Sequence, residues 1–245
     1  MKNFLCIFFE KTIVSITIIF LSPLIILISL LIFIQDFKNP FYFGKRVGLN
    51  GKLFNQIKFR SMTHYNQRTP KIESTSNNDS RITKIGKFIR KYKIDEIPQF
   101  FNIIKGDMSL IGPRPNTISE TNKYFEIEKL LLTVKPGISD FSSIVFSDEG
   151  KILSNSLNPD EDYNYYIRFW KSYLGLIYIK EKRILHDIYL CWLTILSFVS
   201  RDEALKKINK VILSYSPNYS FLSEIILRKN ILKKRKIKNS DFIFY

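Results

Sequence analysis

From Thr12 to Ile34 the chain reads TIVSITIIFLSPLIILISLLIFI, without a charged residue. About 20 apolar residues suffice for a helix to cross the hydrocarbon core of a bilayer, so this run predicts a membrane-embedded helix. It is longer than a signal-peptide core and no small-residue cleavage site follows it, so it is expected to be retained. Ser22-Pro23 interrupts its middle. Proline removes a backbone donor and clashes with the carbonyl four residues back, which bends a helix. The pattern leaves two readings open: a kinked helix that crosses the membrane, or a break that turns the segment back to its starting side. Lys38, Lys45, Arg46, Lys52, Lys58 and Arg60 follow closely. The positive-inside bias then places everything after the run in the cytoplasm.

Beyond the run the periodicity changes. FYFGKRVGLNGKLFNQIKF flanks Asn50-Gly51, a two-residue turn signal, with apolar residues on both sides and predicts a β-hairpin. Residues 64–80 are polar and predict a loop. In RITKIGKFIRKYK, Ile82, Ile85, Ile89 and Tyr92 recur at helical spacing among lysines and arginines. This predicts a basic amphipathic helix with Ser80 as its N-cap, lying either in the headgroup plane or against the core. A second helix is expected from Asp95, its cap, through Pro98 in the first turn to Gly106. Residues 116–134 look helical and charged, and KPGISDFSS from Lys135 reads as a turn-rich loop. Aromatic helices follow from about Asp160. Leu185–Val199 is apolar but short for a span and carries His186 and Asp187, so it is expected to be an amphipathic or core helix. The end, RKNILKKRKIKNSDFIFY, is a basic tail. It is either solvated or drawn to anionic lipid at ~1 kcal/mol per cation near the surface. The organisation expected is a membrane-embedded helix over 1–38, a cytoplasmic domain over 39–200 and a basic extension over 201–245. The fold class is α+β and mainly helical, with a short hairpin and interfacial amphipathic helices.

Composition narrows the partners. With 45% hydrophobic and 15% aromatic residues among 245, a packed core is expected and wholesale disorder is not. A net charge of +16 favours an anionic partner: nucleic acid, an anionic membrane surface or a phosphorylated substrate. No nucleic-acid readout motif is present, so nucleic acid is set aside. Cys6 and Cys191 have no paired spacing, which argues against a disulfide framework. His64 and His186 lack ligand-spaced partners, which argues against a zinc site and a histidine-based triad.

The chemistry concentrates in KIDEIPQFFNIIKGDMSLIGPRP, from Lys93 to Pro115. Adjacent acids are by themselves a weak signal. Here Asp95 and Glu96 stand at an expected helix start, a position that favours an ionised carboxylate and attracts phosphate. Arg114 lies between Pro113 and Pro115, whose rings stiffen the backbone and pre-orient a bidentate phosphate clamp. An aspartate can attack phosphorus and form an acyl phosphate, and a second carboxylate can hold Mg2+ or accept a proton. Neither a phosphate-binding P-loop nor a dinucleotide fingerprint occurs.

This stretch resembles the central motif of the bacterial sugar transferases, the monotopic phosphoglycosyl transferases. KRVGLNGKLFNQIKFRSM, DSRITKIGKFIRK and KPGIS are similar to other blocks of that family, in the same order. The similarity covers roughly residues 10–200 and leaves out the tail from Arg201. The resemblance implies transfer of a sugar-1-phosphate from a UDP-sugar to undecaprenyl phosphate with Mg2+, releasing UMP. It implies Asp95 as the nucleophile that carries a phosphosugar intermediate, Glu96 as its partner, and both as metal ligands. It implies substrate contacts for Lys58, Arg90 and Arg114, and a re-entrant helix broken at Ser22-Pro23, which favours the second of the two membrane readings. It further implies an inner-membrane enzyme whose catalytic domain faces the cytoplasm; self-association is left open.

Two departures stand out. Phe43-Gly44-Lys45 precede Arg46-Val47-Gly48 where the family usually has a Gln and another polar residue. Ser139-Asp140 follow Pro136-Gly137-Ile138 where many members have Thr-Gly. The competing expectation is a non-enzymatic, membrane-tethered basic adaptor that binds anionic lipid or an acidic protein. It accounts for the charge and the anchor but not for the order of the acids, glycine and Pro-Arg-Pro.

Overall fold

The computed structural model describes residues 4–63 and 79–228. Most of the expected polar loop and the polybasic end of the tail lie outside the described residues. The apolar run lies within a single helix, α1 (Phe4–Asp36), the one described helix long and apolar enough to cross a membrane. It continues through Pro23. Proline leaves the carbonyl four residues back, that of Ile19, without its helical donor, and Ser22 Oγ donates to that carbonyl at 2.7 Å. The serine thus repairs the bond that the proline removes.

Both halves of α1 pack on the rest of the chain. Val14 is buried with Ile103 and Met108, and Ile25, Ile28 and Ile32 with Phe59 and Ile89. Glu10 accepts from the Ser109 hydroxyl at 2.5 Å and the Leu110 amide at 2.8 Å. At the far end Asp36 forms a two-pronged pair with Arg60. The remaining face, including Ile16, Ile19, Phe20, Ile26 and Ile34, is exposed.

The hairpin forms as expected from strands β1 (Phe41–Val47) and β2 (Leu53–Phe59), antiparallel from Phe41↔Phe59 to Val47↔Leu53. Its connection is longer than the expected two-residue turn, because the ladder ends at Val47↔Leu53. Asn50 and Gly51 occupy the tip with φ of 53° and 77°, the left-handed region that these residues tolerate.

Helix α2 (Lys84–Lys91) buries Ile89 and exposes Phe88. Its cap is Thr83, whose hydroxyl accepts from the Gly86 amide at 2.9 Å, not Ser80. The displacement has a cause: Asp79 binds the Arg81 amide and guanidinium, and Ile82 bridges to Met62, which holds residues 79–82 out of the helix. A Cβ at Gly86 would stand 1.9 Å from the Ser61 carbonyl oxygen, so α2 lies hard against that strand exit.

Lys93 then turns the chain with φ of 56°, and Ile94–Glu96 form a 3-10 turn before α3 (Gln99–Lys105). Asp95 is therefore not a helix cap. Pro98 takes the position before α3, and Gly106, with φ of 89°, ends it.

Strand β3 (Ser109–Ile111) leads to α4 (Ile118–Thr121) and a 3-10 segment, Ile127–Thr133, in place of one long helix over 116–134. Burial of Glu128 explains the interruption. Its carboxylate accepts from the Phe125 amide and reaches inward to Arg168 (2.8 Å) and Ser172 (2.6 Å). The expected loop at Lys135 instead contains β4 (Gly137–Ser139), parallel to β3, and α5 (Phe141–Val145), capped by Asp140.

Short helices α6 (Glu149–Ile152) and α7 (Pro159–Tyr163) precede α8 (Phe169–Lys180), α9 (Ile184–Val199), α10 (Arg201–Tyr215) and α11 (Leu222–Ile226). Helix α8 is the centre of the main core; Tyr173, Leu174, Leu176 and Ile177 are fully buried. Leu205, Ile208, Ile212, Leu222 and Ile226 belong to the same core, so residues 201–228 pack with what precedes them. As expected for an amphipathic helix, α9 buries Leu190 and Leu193 and exposes Leu185, Ile188, Ile195 and Phe198.

Candidate active site

The hairpin, the turn before α3 and the loop after β3 converge on one carboxylate, that of Glu96. Arg114 meets it through two nitrogens, Nη1 to Oε2 at 3.0 Å and Nη2 to Oε1 at 2.7 Å. Lys58 of β2 donates to Oε1 at 3.0 Å. Lys58, Glu96 and Arg114 are thus brought together, with Asp95 adjacent in the same turn.

Each partner is held from behind. Asn102 of α3 accepts from the Ile57 amide at 2.9 Å and donates to the Asn55 carbonyl at 2.7 Å, fastening β2 beside α3. Buried Gln56 and Gln99 bond at 3.1 Å beneath the acids. Arg114 is aimed by the crossing of two glycines. The Gly112 amide donates to Ser139 and the Gly137 amide to Pro113. A Cβ on Gly137 would stand 2.1 Å from the Gly112 nitrogen. That approach brings the Ile138 carbonyl to 2.5 Å from Arg114 Nη1.

The sequence pattern did not reveal Asn102, Gln56, Gln99, Gly112, Gly137 or Asp140 as supporting residues. Asp140, one of the departures, is buried. Its carboxylate accepts from the Ser142 hydroxyl and from the Ser143 amide and hydroxyl. Burial pushes its carboxyl up, against those hydrogen bonds and the nearby Arg114 charge. Of the other expected residues, Arg90 on α2 lines the same cleft and its charge acts on Asp95. Pro113 and Pro115 flank Arg114; Ser22 and Pro23 remain in α1 as a repaired helical step.

The two acids differ sharply. Asp95 is buried to 7% exposure, and its Oδ1 has no hydrogen-bond partner among the described residues. Burial pushes its carboxyl above the ordinary carboxylate value, helped by the Glu96 charge and opposed by Lys58, Arg90 and Lys93. This runs against the expectation that a helix start would favour the ionised carboxylate. For Glu96 burial acts in the same upward direction, but Arg114 and Lys58 overcome it and hold the carboxyl well below its usual range. Burial lowers Lys58, and Glu96 only partly offsets that.

No group of three His, Cys, Asp or Glu side chains converges as a metal cage among the described residues. The donor set suits Mg2+ in another way, since that ion commonly takes one or two carboxylates together with substrate phosphates. Asp95 Oδ1 is a hard oxygen with no hydrogen-bond partner among the described residues, and Glu96 Oε2 accepts from Arg114 Nη1. A cleft of about 2690 Å³ opens over these residues, lined by α1, the hairpin, α2, α9 and the segments around Arg114 and Ser143.

The family model described as "Bacterial sugar transferase" matches residues 1–201. The galactosyl transferase CpsE of Streptococcus agalactiae is 40% identical over 161 residues, 61% of this chain and 32% of its own length. The UDP-glucose:undecaprenyl-phosphate glucose-1-phosphate transferase of Klebsiella pneumoniae is 36% identical over 66% of this chain and 36% of its own. The undecaprenyl-phosphate galactose phosphotransferase of Salmonella typhimurium is 34% identical over 69% of this chain and 35% of its own. The chain thus spans about a third of the length of these curated relatives.

Proposed function

Because the chain belongs to the bacterial sugar transferase family, we propose that it is a phosphoglycosyl transferase moving a sugar-1-phosphate from a UDP-sugar to undecaprenyl phosphate. The observation that carries this reading is the pairing of an unpartnered buried Asp95 oxygen with a Glu96 carboxylate already clamped by Arg114 and Lys58.

The Asp95 carboxylate attacks the β-phosphorus of the UDP-sugar. The bond from that phosphorus to the bridging oxygen breaks, and UMP leaves with the electron pair. The sugar phosphate is then held on Asp95 as a mixed anhydride. A phosphate oxygen of undecaprenyl phosphate attacks the same phosphorus, the Asp95 carboxylate leaves, and polyprenyl-diphospho-sugar is formed.

The raised pKa of Asp95 makes its ionised form a stronger nucleophile, whereas Glu96 stays ionised and orients the two cations. Arg114 retains its Nε and one Nη2 hydrogen for substrate phosphate, and Arg90 adds charge on the α2 side. Asp95 and Glu96 would hold Mg2+, which neutralises diphosphate charge when bound.

The reading places the protein at the bacterial inner membrane with its catalytic domain in the cytoplasm. The exposed apolar face of α1 and the cations after it support this. Docking of Glu10 and Asp36 at opposite ends of α1 onto one domain supports a helix that enters and leaves on the same side. The deciding experiment supplies nanodisc-embedded protein with undecaprenyl phosphate, Mg2+ and a panel of UDP-sugars. UMP release that requires both the lipid phosphate and Asp95 is expected. A folded protein that binds a UDP-sugar yet releases no UMP would overturn the assignment.

A further inference from the structure

A different wall of the cleft carries a second charged group that the transfer chemistry does not use. Helices α6, α7 and α8 bring together Glu149, Tyr163 and Lys171, all lining the cleft. Lys171 Nζ pairs with Glu149 Oε2 and stands 5.3 Å from the centre of the Tyr163 ring. The two charged side chains are only 23% and 28% exposed. Burying an ion pair rarely adds stability over an apolar pair of the same shape, so core packing alone does not call for one here. The Arg114 charge is felt at Lys171, which puts the pair within electrostatic range of the phosphate-facing arginine.

We propose that Glu149 and Lys171 form the subsite that reads hydroxyls of the sugar, the substrate class being a neutral hexose with adjacent free hydroxyls. This rests on the sugar-phosphate transfer reading. A carboxylate accepts from one hydroxyl while the ammonium donates to its neighbour, so the pair matches two adjacent hydroxyls. Tyr163 supplies an aromatic ring beside them. A half-buried polar pair of this kind discriminates against an analogue that lacks the hydroxyl, because the hydrogen-bonding capacity that the pair turns to the sugar is then unmet.

The position of Glu149 is set in part by Arg228, which lies beyond the residues matched by the family model. Asp148, immediately before it, pairs with Arg201 and Arg228, each at 3.1 Å. The same two guanidinium groups donate to the Val145 carbonyl at 3.0 and 2.9 Å, and the Arg228 guanidinium lies 4.5 Å from the Phe146 ring centre. Arg201 and Arg228 are positioning residues for the segment that presents Glu149.

Calorimetric titration of the full chain in nanodiscs tests this with UDP, UDP-hexoses and their deoxy analogues. Glu149→Gln and Lys171→Met are each expected to weaken UDP-hexose binding at least tenfold and to leave UDP binding unchanged. Deoxy analogues should bind these variants and the wild type alike. The exchange E149K/K171E keeps an ion pair and guards against misfolding; it should alter the order of preference among hexoses. Arg228→Ala should weaken the hexose-over-UDP preference, and Arg228→Lys should restore part of it. Equal weakening of UDP, or an unchanged preference in folded variants, would overturn the subsite and leave the transfer reading standing. A wild type that binds no UDP-sugar would overturn both.

Discussion

Arg114 grips Glu96 with both terminal guanidinium nitrogens, and no hydrogen bond joins it to Asp95. Two neighbours in sequence are thereby given opposite electrostatic surroundings, one neutralised and one left in a buried, partnerless position. Pairs of acids pushed apart in this way divide chemical roles between them.

Asp95→Asn is expected to abolish UMP release and to leave the fold intact. Its melting temperature should stay level or rise, because a buried charge opposed by desolvation is removed. Activity assays paired with thermal unfolding check this; turnover near the wild-type rate would remove Asp95 as nucleophile.

The pH profile of transfer should be narrower than ordinary side-chain values allow. The nucleophile must be ionised, and its raised pKa moves the acid limb above the ordinary aspartate value of 3.8. If charged Lys58 assists binding, its lowered pKa brings the alkaline limb below 10.5. Lys58→Arg should carry the alkaline limb upward, measured as kcat/KM against pH.

The same acids act oppositely on stability. The folded pKa of Glu96 is depressed, so its contribution is present above its unfolded value of 4.5 and is lost as pH falls through the folded value. The folded pKa of Asp95 is raised, so its ionised form destabilises near neutrality and relief comes as pH falls through that raised value. Urea unfolding at several pH values should show a smaller acid loss in Glu96→Gln than in the wild type.

Arg114→Ala should lower kcat/KM by roughly two to three orders of magnitude, the scale of losing a charge-stabilising donor. Arg114→Lys should recover little, since an ammonium cannot reproduce the paired contact. Full activity in the lysine variant would show that only the charge matters.

Gly137→Ala is expected to cost roughly 1–3 kcal/mol or more by overpacking, and to reduce transfer through Arg114. The added carbon would meet the Gly112 backbone, with no flexible side chain to move aside. Denaturant titration and kinetics on the same sample check both effects. Undiminished activity would show that the glycine crossing does not aim the arginine.

Asp95, Glu96 and Arg114 were legible in the sequence because they lie in one short stretch with proline and glycine punctuation. The hairpin was legible because Asn50-Gly51 tolerates positive φ. Lys58 was named as a substrate contact, but its bond to Glu96 was not legible, because a strand residue pairs with a distant turn only through the docking by Asn102. Strand β4 was read as a loop because a three-residue parallel pairing leaves no periodicity, and the meeting of Gly112 with Gly137 is a long-range event. The expected Asp95 cap failed because Lys93 took a left-handed turn that no local propensity announces.

The fastening of α1 at Glu10 and again at Asp36 has a mechanical consequence. A helix joined by one flexible linker would let the domain bob and tilt over the bilayer. A helix pinned near both ends cannot, so the height of Asp95 relative to the apolar face of α1 is a fixed dimension of the fold. On the proposed reading, in a membrane that seats this face, a lipid phosphate would meet Asp95 by drifting sideways at constant depth.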